Sequence, residues 1–159
     1  MKIRTGTGYD VHQLAAGYPL IIGGVEFQHH LGAVGHSDAD VLIHAICDAL
    51  LGAAGLRDIG YHFPDNDPVY RGIDSRILLK KVVALLKEQG YTVGNVDAVI
   101  LLEKPKIAMH IPEMVKNLAQ TMEISESDVS VKATTTEKLG FVGREEGIAA
   151  QAVVLIFRE

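Results

Sequence analysis

A chain of 159 residues is long enough to bury one proper core, and 48% apolar with 22% charged residues is the balance of an ordinary globular domain. A formal charge of −5 without any offsetting basic stretch argues against a nucleic-acid partner. A single cysteine, Cys47, leaves neither a disulfide framework nor a thiolate metal cluster to build.

Residues 1–6 lack the character of a signal or transit peptide, and no apolar run approaches the roughly 20 residues of a membrane span. A single-domain cytoplasmic enzyme or binding protein, with no membrane partner, is the starting class. Ile3 to His12 reads as a first strand, in which Gly6 and Gly8 predict a bulge or a close backbone approach. Leu20 to Phe27 reads as a hairpin turning at Gly23 and Gly24. A helix then opens, with Ser37 as N-cap and Asp40 in its first turn, and runs along an apolar face to Gly52–Gly55. Cys47 lies on that face as a small core residue. Asp40, His44 and Asp48 follow at intervals of four, along one side of the helix.

Leu56 to Tyr70 is rich in Gly, Pro, Asp and Asn and reads as a loop, in which Asp58, Asp65 and Asp67 also suit plain turn formation. Ser75 starts a second helix that ends at Gly90, and Tyr91 to Leu102 is a strand. Ile107 to Met122 is a third helix, with Pro112 either inside its first turn or at a kink. Val129 to Thr136 is a strand, and the apolar Ile148 to Arg158 is a last one, placed mid-sheet. The order predicts an α+β fold: a mixed β-sheet with helices packed on one face, a two-layer sandwich.

Of seven histidines, His29 and His30 read as solvated, His110 as structural or exposed, and His62 stays open. Asp10 and His12 share one face of the first strand, because strand side chains repeat every two residues. With His44 they make a set of two imidazoles and a carboxylate, which suits Zn²⁺ and also admits Mn²⁺, Fe²⁺ or Co²⁺. Asp48 is then an acceptor for the second ring nitrogen of His44. By spacing alone, a helical histidine satisfied within the core is the competing reading. A second cluster, Lys132 to Arg144, combines three threonines with Glu137, Lys138 and Arg144. It suits an oxyanion with a bridging divalent ion, or a solvated turn. Lys104 and Lys106 can add to its field.

Particular segments carry a resemblance. Gly8 to His12, His36 to His44, Asp58 to Gly60, Phe63 to Asp65, Pro105–Lys106 and above all Val131 to Phe141 with Gly143–Arg144 resemble, in order and over nearly the full length, the 2-C-methyl-D-erythritol 2,4-cyclodiphosphate synthases. These are enzymes of the non-mevalonate isoprenoid pathway. The resemblance implies a homotrimer with active sites at subunit interfaces. It implies Zn²⁺ on Asp10, His12 and His44, and Mg²⁺ or Mn²⁺ on Glu137 and a substrate diphosphate. His36 and Thr135 would stabilise the transition state. The substrate would be a cytidine diphosphate compound, 4-diphosphocytidyl-2-C-methyl-D-erythritol 2-phosphate, which cyclises as CMP leaves.

The same resemblance implies the contacts. Asp10, Val11, His12, His36 and Ser37 would bind the substrate. Asp58, Ile59, Gly60 and the run Phe63, Pro64, Asp65, Asn66, Asp67 would hold the methylerythritol phosphate end. Leu102, Glu103, Lys104, Pro105, Lys106, Ile107 and Ala108 would hold the nucleotide, with Thr134, Thr135, Thr136, Glu137, Phe141 and Arg144. The loop 58–69 is expected to close over the site and exclude water.

Overall fold

The computed structural model describes residues 1–159. Seven strands are present: β1 (Lys2–Ala15), β2 (Leu20–Ile22), β3 (Val25–Phe27), β4 (Gly32–Ala33), β5 (Thr92–Leu101), β6 (Val129–Thr134) and β7 (Gly147–Arg158). Three long helices, α1 (Val41–Ala54), α3 (Ser75–Glu88) and α4 (Ile111–Met122), accompany two single-turn helices, α2 (Ile59–His62) and α5 (Gly140–Gly143).

The main sheet runs β4-β1-β7-β5-β6 and is mixed, since only β5 and β6 run parallel. The last strand is its centre, as its apolar composition predicts: Ala150, Ala152, Val154 and Ile156 are buried, while Gln151 and Val153 are exposed. Helix α1 packs across β1 and β7, α3 lies against α1, and α4 against α3 and β6. The helices therefore cover one face, over a single apolar cluster of 39 buried residues that includes Cys47. The other face stays open and carries Ile3, Tyr9, Val11 and Val153.

Several boundaries differ from the sequence reading; β6, for instance, ends at Thr134, not Thr136. β1 continues to Ala15, with no bulge in its register against β7. Gly6 and Gly8 mark a close approach instead. A Cβ on Gly8 would lie 1.9 Å from the Ala45 carbonyl oxygen, and one on Gly6 2.0 Å from that of Ala49. The two glycines let α1 rest directly on the strand backbone.

Helix α1 begins later than predicted, and its N-cap is Asp40, not Ser37. The fully buried Asp40 carboxylate accepts from the Ile43 N–H (3.1 Å) and also from Gly23 (3.0 Å) and Gly24 (2.8 Å). It therefore fastens the β2–β3 turn to the start of α1, and three-fold acceptance explains how a carboxylate is tolerated there. Pro112 falls in the first turn of α4, where its missing N–H costs nothing, and a short 3-10 turn, Ala108–His110, replaces the earlier start.

Candidate active site

Strand β1 and helix α1 bring the three predicted donors together. Asp10 Oδ2 lies 2.9 Å from His12 Nε2 and 3.2 Å from His44 Nδ1, and the two ring nitrogens are 3.2 Å apart. The outer nitrogens of both rings are engaged elsewhere. His12 Nδ1 lies 2.9 Å from the Val34 carbonyl oxygen, which can only accept, so that nitrogen carries the proton. His44 Nε2 meets the hydroxyls of Ser75 (3.0 Å) and Ser37 (3.1 Å).

In the neutral His12 ring the inward nitrogen is therefore a lone pair, and it and His44 Nδ1 both face a carboxylate oxygen that is buried without a hydrogen-bond partner. Burial pushes the Asp10 carboxyl up, but hydrogen bonding and charge from His12 and His44 in their protonated form outweigh it and hold it well below the usual carboxylate range. Burial lowers the His12 imidazole, and Asp10 more than reverses this, so its net shift is upward. Three converging lone-pair donors with one anion form a metal-binding group, and their N₂O chemistry suits a divalent transition ion.

His12 and His44 of this group line a cavity of about 480 Å³. His36, Ser37, Ile59, Gly60, Phe63, Pro64, Asp65 and Asn66 line it, together with His12 and His44. The segment that lines the cavity is fastened at several points. α2 is anchored where Asp48 accepts from the Ile59 N–H at 2.7 Å, and His62 Nε2 meets the Leu56 carbonyl at 2.7 Å. Farther on, Phe63 and Tyr70 meet edge to face at 5.4 Å beneath the Lys81 ammonium. His36 Nε2 meets the Asp67 carbonyl at 3.0 Å, tying the segment to the stretch that carries Ser37.

Several expectations change. Asp48 does not serve His44; burial pushes its carboxyl up, and it holds the cavity segment. Asp40 shares no line with His44, since its carboxylate is spent on three N–H groups. The Val11 side chain points to the open face of the sheet, and Leu102 and Ile107 lie in the core, leaving only backbone for a ligand. Gly35, Tyr70 and Leu78 line the cavity without having been foreseen. Tyr70 is the one with a legible signal, an aromatic residue closing an Asp-rich loop.

The second cluster assembles separately. β5 and β6 are parallel, and Leu101 pairs with Thr134, so Glu103–Lys106 and Thr134–Glu137 leave the same end of the sheet side by side. The Thr136 N–H reaches Glu103 Oε2 at 3.4 Å, and Thr135 Oγ1 donates to Glu137 Oε1 at 3.3 Å. Lys104 pairs with Glu145, Arg144 with Glu146, and Lys132 with Asp97. None of these residues lines the cavity. Val11, Ala149, Leu101 and Thr134 form one row across the sheet. Three strand spacings, roughly 14 Å, thus separate Thr134 from β1 within one chain.

Comparison with known proteins places this geometry. The family model described as YgbB family matches residues 3–157. The chain belongs to the YgbB family. It is 63% identical over 153 residues to the 2-C-methyl-D-erythritol 2,4-cyclodiphosphate synthase of Porphyromonas gingivalis, covering 96% of this chain and 94% of that protein. It is 62% identical over 158 residues to the synthase of Bacteroides fragilis, covering 99% of each. Among solved structures, the bifunctional IspDF of Campylobacter jejuni superposes with a TM-score of 0.93 at 42% identity, covering 98% of this chain and 42% of that one. A synthase of the same name, in a form bound to CDP, superposes at 0.89 with 36% identity, covering 97% and 100%. The resemblance read from the motifs is thus a family membership.

Proposed function

We propose that this chain converts 4-diphosphocytidyl-2-C-methyl-D-erythritol 2-phosphate to 2-C-methyl-D-erythritol 2,4-cyclodiphosphate with release of CMP, as a phosphorus–oxygen lyase of cytoplasmic isoprenoid biosynthesis. The observation that carries the reading is the Asp10–His12–His44 group, whose two histidines line a cavity, in a chain more than 60% identical to synthases of that name. An oxygen of the 2-phosphate bonds to the β-phosphorus, the bond from that phosphorus to the bridging oxygen breaks, and CMP departs with the bridging oxygen. The nucleophile is already ionised and the leaving group is a phosphate, so the chain's task is to fold the substrate and balance its charge.

Asp10, His12 and His44 would hold Zn²⁺, which when bound polarises a phosphate oxygen. Glu137, exposed at the end of β6, offers a single carboxylate. That is the usual protein share of an Mg²⁺ or Mn²⁺ ion otherwise held by substrate phosphates. His36 faces the cavity from beneath Asp67 and orients the 2-phosphate, while Thr135 would present a hydroxyl to the diphosphate. Ser37 and residues 58–67 hold the methylerythritol end and exclude water. Residues 102–108, Thr134–Thr136, Phe141 and Arg144 receive the cytidine end.

The Asp10–His12–His44 group and Glu137 would have to reach the same diphosphate of one substrate molecule. The roughly 14 Å between β1 and Thr134 in one chain therefore favours a site completed by a second copy. The open sheet face with Ile3, Tyr9, Val11 and Val153 is the apolar surface that copies would bury in a homotrimer.

The test is incubation of the purified protein with the cytidyl substrate and Mg²⁺, followed by ³¹P NMR. A cyclic diphosphate with equimolar CMP is the expected result, lost in His44→Ala together with bound zinc. A linear phosphate with CMP, and no cyclic product, would refute the reading. Sedimentation of the same sample tests the trimer.

A further inference from the structure

Ser75 opens helix α3, yet its side chain turns inward and is fully buried. Its hydroxyl lies between two partners, Asp38 Oδ1 and His44 Nε2, the latter at 3.0 Å. A hydroxyl has one proton, and an ionised carboxylate accepts only. The proton therefore goes to Asp38, the Ser75 oxygen is left as an acceptor, and His44 Nε2 donates to it. His44 is fixed as the tautomer whose free lone pair sits on Nδ1, the nitrogen facing Asp10 and His12.

Asp38 is itself held on every side. Its Oδ2 accepts from the Ser75 backbone N–H at 3.0 Å and its Oδ1 from that of Asp40 at 3.2 Å, while its own N–H donates to the Ile73 carbonyl at 3.1 Å. Neither Asp38 nor Ser75 lines the cavity. Ser37, which does, accepts from the Ala39 N–H at 3.2 Å, and its hydroxyl proton stays free for a ligand in the cavity. The two serines near His44 thus have different work.

We propose that Asp38 and Ser75 are positioning residues of the metal centre: the chain of hydrogen bonds from Asp38 through Ser75 fixes His44 as an Nδ1 ligand and strengthens its hold on the ion. The proposal rests on reading Asp10, His12 and His44 as that centre. Such partners behind a ligating histidine typically carry 10–100-fold in metal affinity. Ser75 stands five residues beyond Tyr70, which lines the cavity, so the helix that follows the cavity segment is tied to the His44 ring.

The experiment measures Zn²⁺ affinity by competition with a chromophoric chelator, on wild type and Ser75→Ala, beside thermal unfolding of both metal-free proteins. Ser75→Ala is expected to bind Zn²⁺ about 10–100-fold more weakly, a loss that a purely structural role for the serine would not produce while metal-free unfolding stays unchanged. Ring ¹⁵N shifts of the zinc-loaded wild type supply a measurement independent of any variant, with His44 expected as Nδ1-bound and Nε2-protonated. Affinity within twofold of wild type in Ser75→Ala, or ligation through His44 Nε2, overturns the proposal while leaving the metal centre intact. A wild-type protein that takes up no Zn²⁺ overturns both.

Discussion

The Gly8→Ala substitution tests the central packing relation, strand backbone against helix backbone, most directly. The added Cβ would lie 1.9 Å from the Ala45 carbonyl oxygen and 2.7 Å from the Ala49 nitrogen, where ordinary contact begins at 3.4 Å. These obstacles are backbone atoms of α1 and have no rotamer to change, so strand and helix must separate by about 1.5 Å. Overpacking usually costs about 1–3 kcal/mol, and the rigidity of both partners places this case near 3 kcal/mol. For a domain of this size that lowers Tm by about 6–12 °C.

The second effect falls on the metal group. Asp10 and His12 lie on the strand just beyond Gly8, and His44 precedes Ala45 on the helix, so the gap opens between the donors. Zinc sites hold ligands within about 0.2 Å of ideal distances, and a shift several times larger weakens binding on the order of 100-fold or more. Differential scanning calorimetry of the metal-free protein and zinc competition titration measure the two effects separately. A Gly8→Ala protein with wild-type Tm and wild-type zinc affinity would refute the reasoning.

Gly52, on the exposed side of the same helix, predicts the opposite sign: its Cβ would meet nothing closer than 4.0 Å, so Gly52→Ala should stabilise by about 0.5–1 kcal/mol in urea unfolding. Burial pushes the Asp40 carboxyl up to about 6, against the three N–H groups that pull it down. The folded state then keeps a proton that the unfolded chain releases. This stabilising contribution is full below about 4 and is lost as pH rises through about 6, a slope that Asp40→Asn removes from denaturation midpoints measured at stepped pH. His36→Ala takes away the group between the cavity and the Asp67 carbonyl, and should lower kcat on the order of 100-fold while zinc content stays at the wild-type level. Equal losses of zinc and activity would place His36 with the ligands.

The elements were legible where local chemistry decides them. Gly23 and Gly24 mark the hairpin turn, the period of α3 sets its buried face, and the almost fully apolar run of β7 places it mid-sheet. The Asp10–His12 pair was legible for the same reason, because the two-residue repeat of a strand is local. What the sequence hid were the pairings made over distance. Asp48 stands one turn from His44 and was the natural candidate for its second nitrogen, but that nitrogen belongs to Ser75, 31 positions away. Ser37 has the chemistry of an N-cap and lost the position to Asp40, because Asp40 satisfies the helix and the β2–β3 turn together. The roughly 14 Å between the two clusters follows from strand order, which no run of residues records.

The long strand β1 also restricts how this chain can vary. Its even-numbered residues, Gly6, Gly8, Asp10 and His12, serve the helix and the metal group, and its odd-numbered ones, Ile3, Tyr9 and Val11, form the outer surface. Insertion of one residue ahead of Gly6 would exchange the two sets together. Thr7 would take the place of Gly8 against the backbone of α1, and both ligands would turn to the open face. Insertion of two would restore the parity but carry both ligands about 7 Å along the strand, away from His44. A length change that shifts this strand against α1 therefore abolishes the metal group, and a single-residue one also remakes the outer surface in the same step.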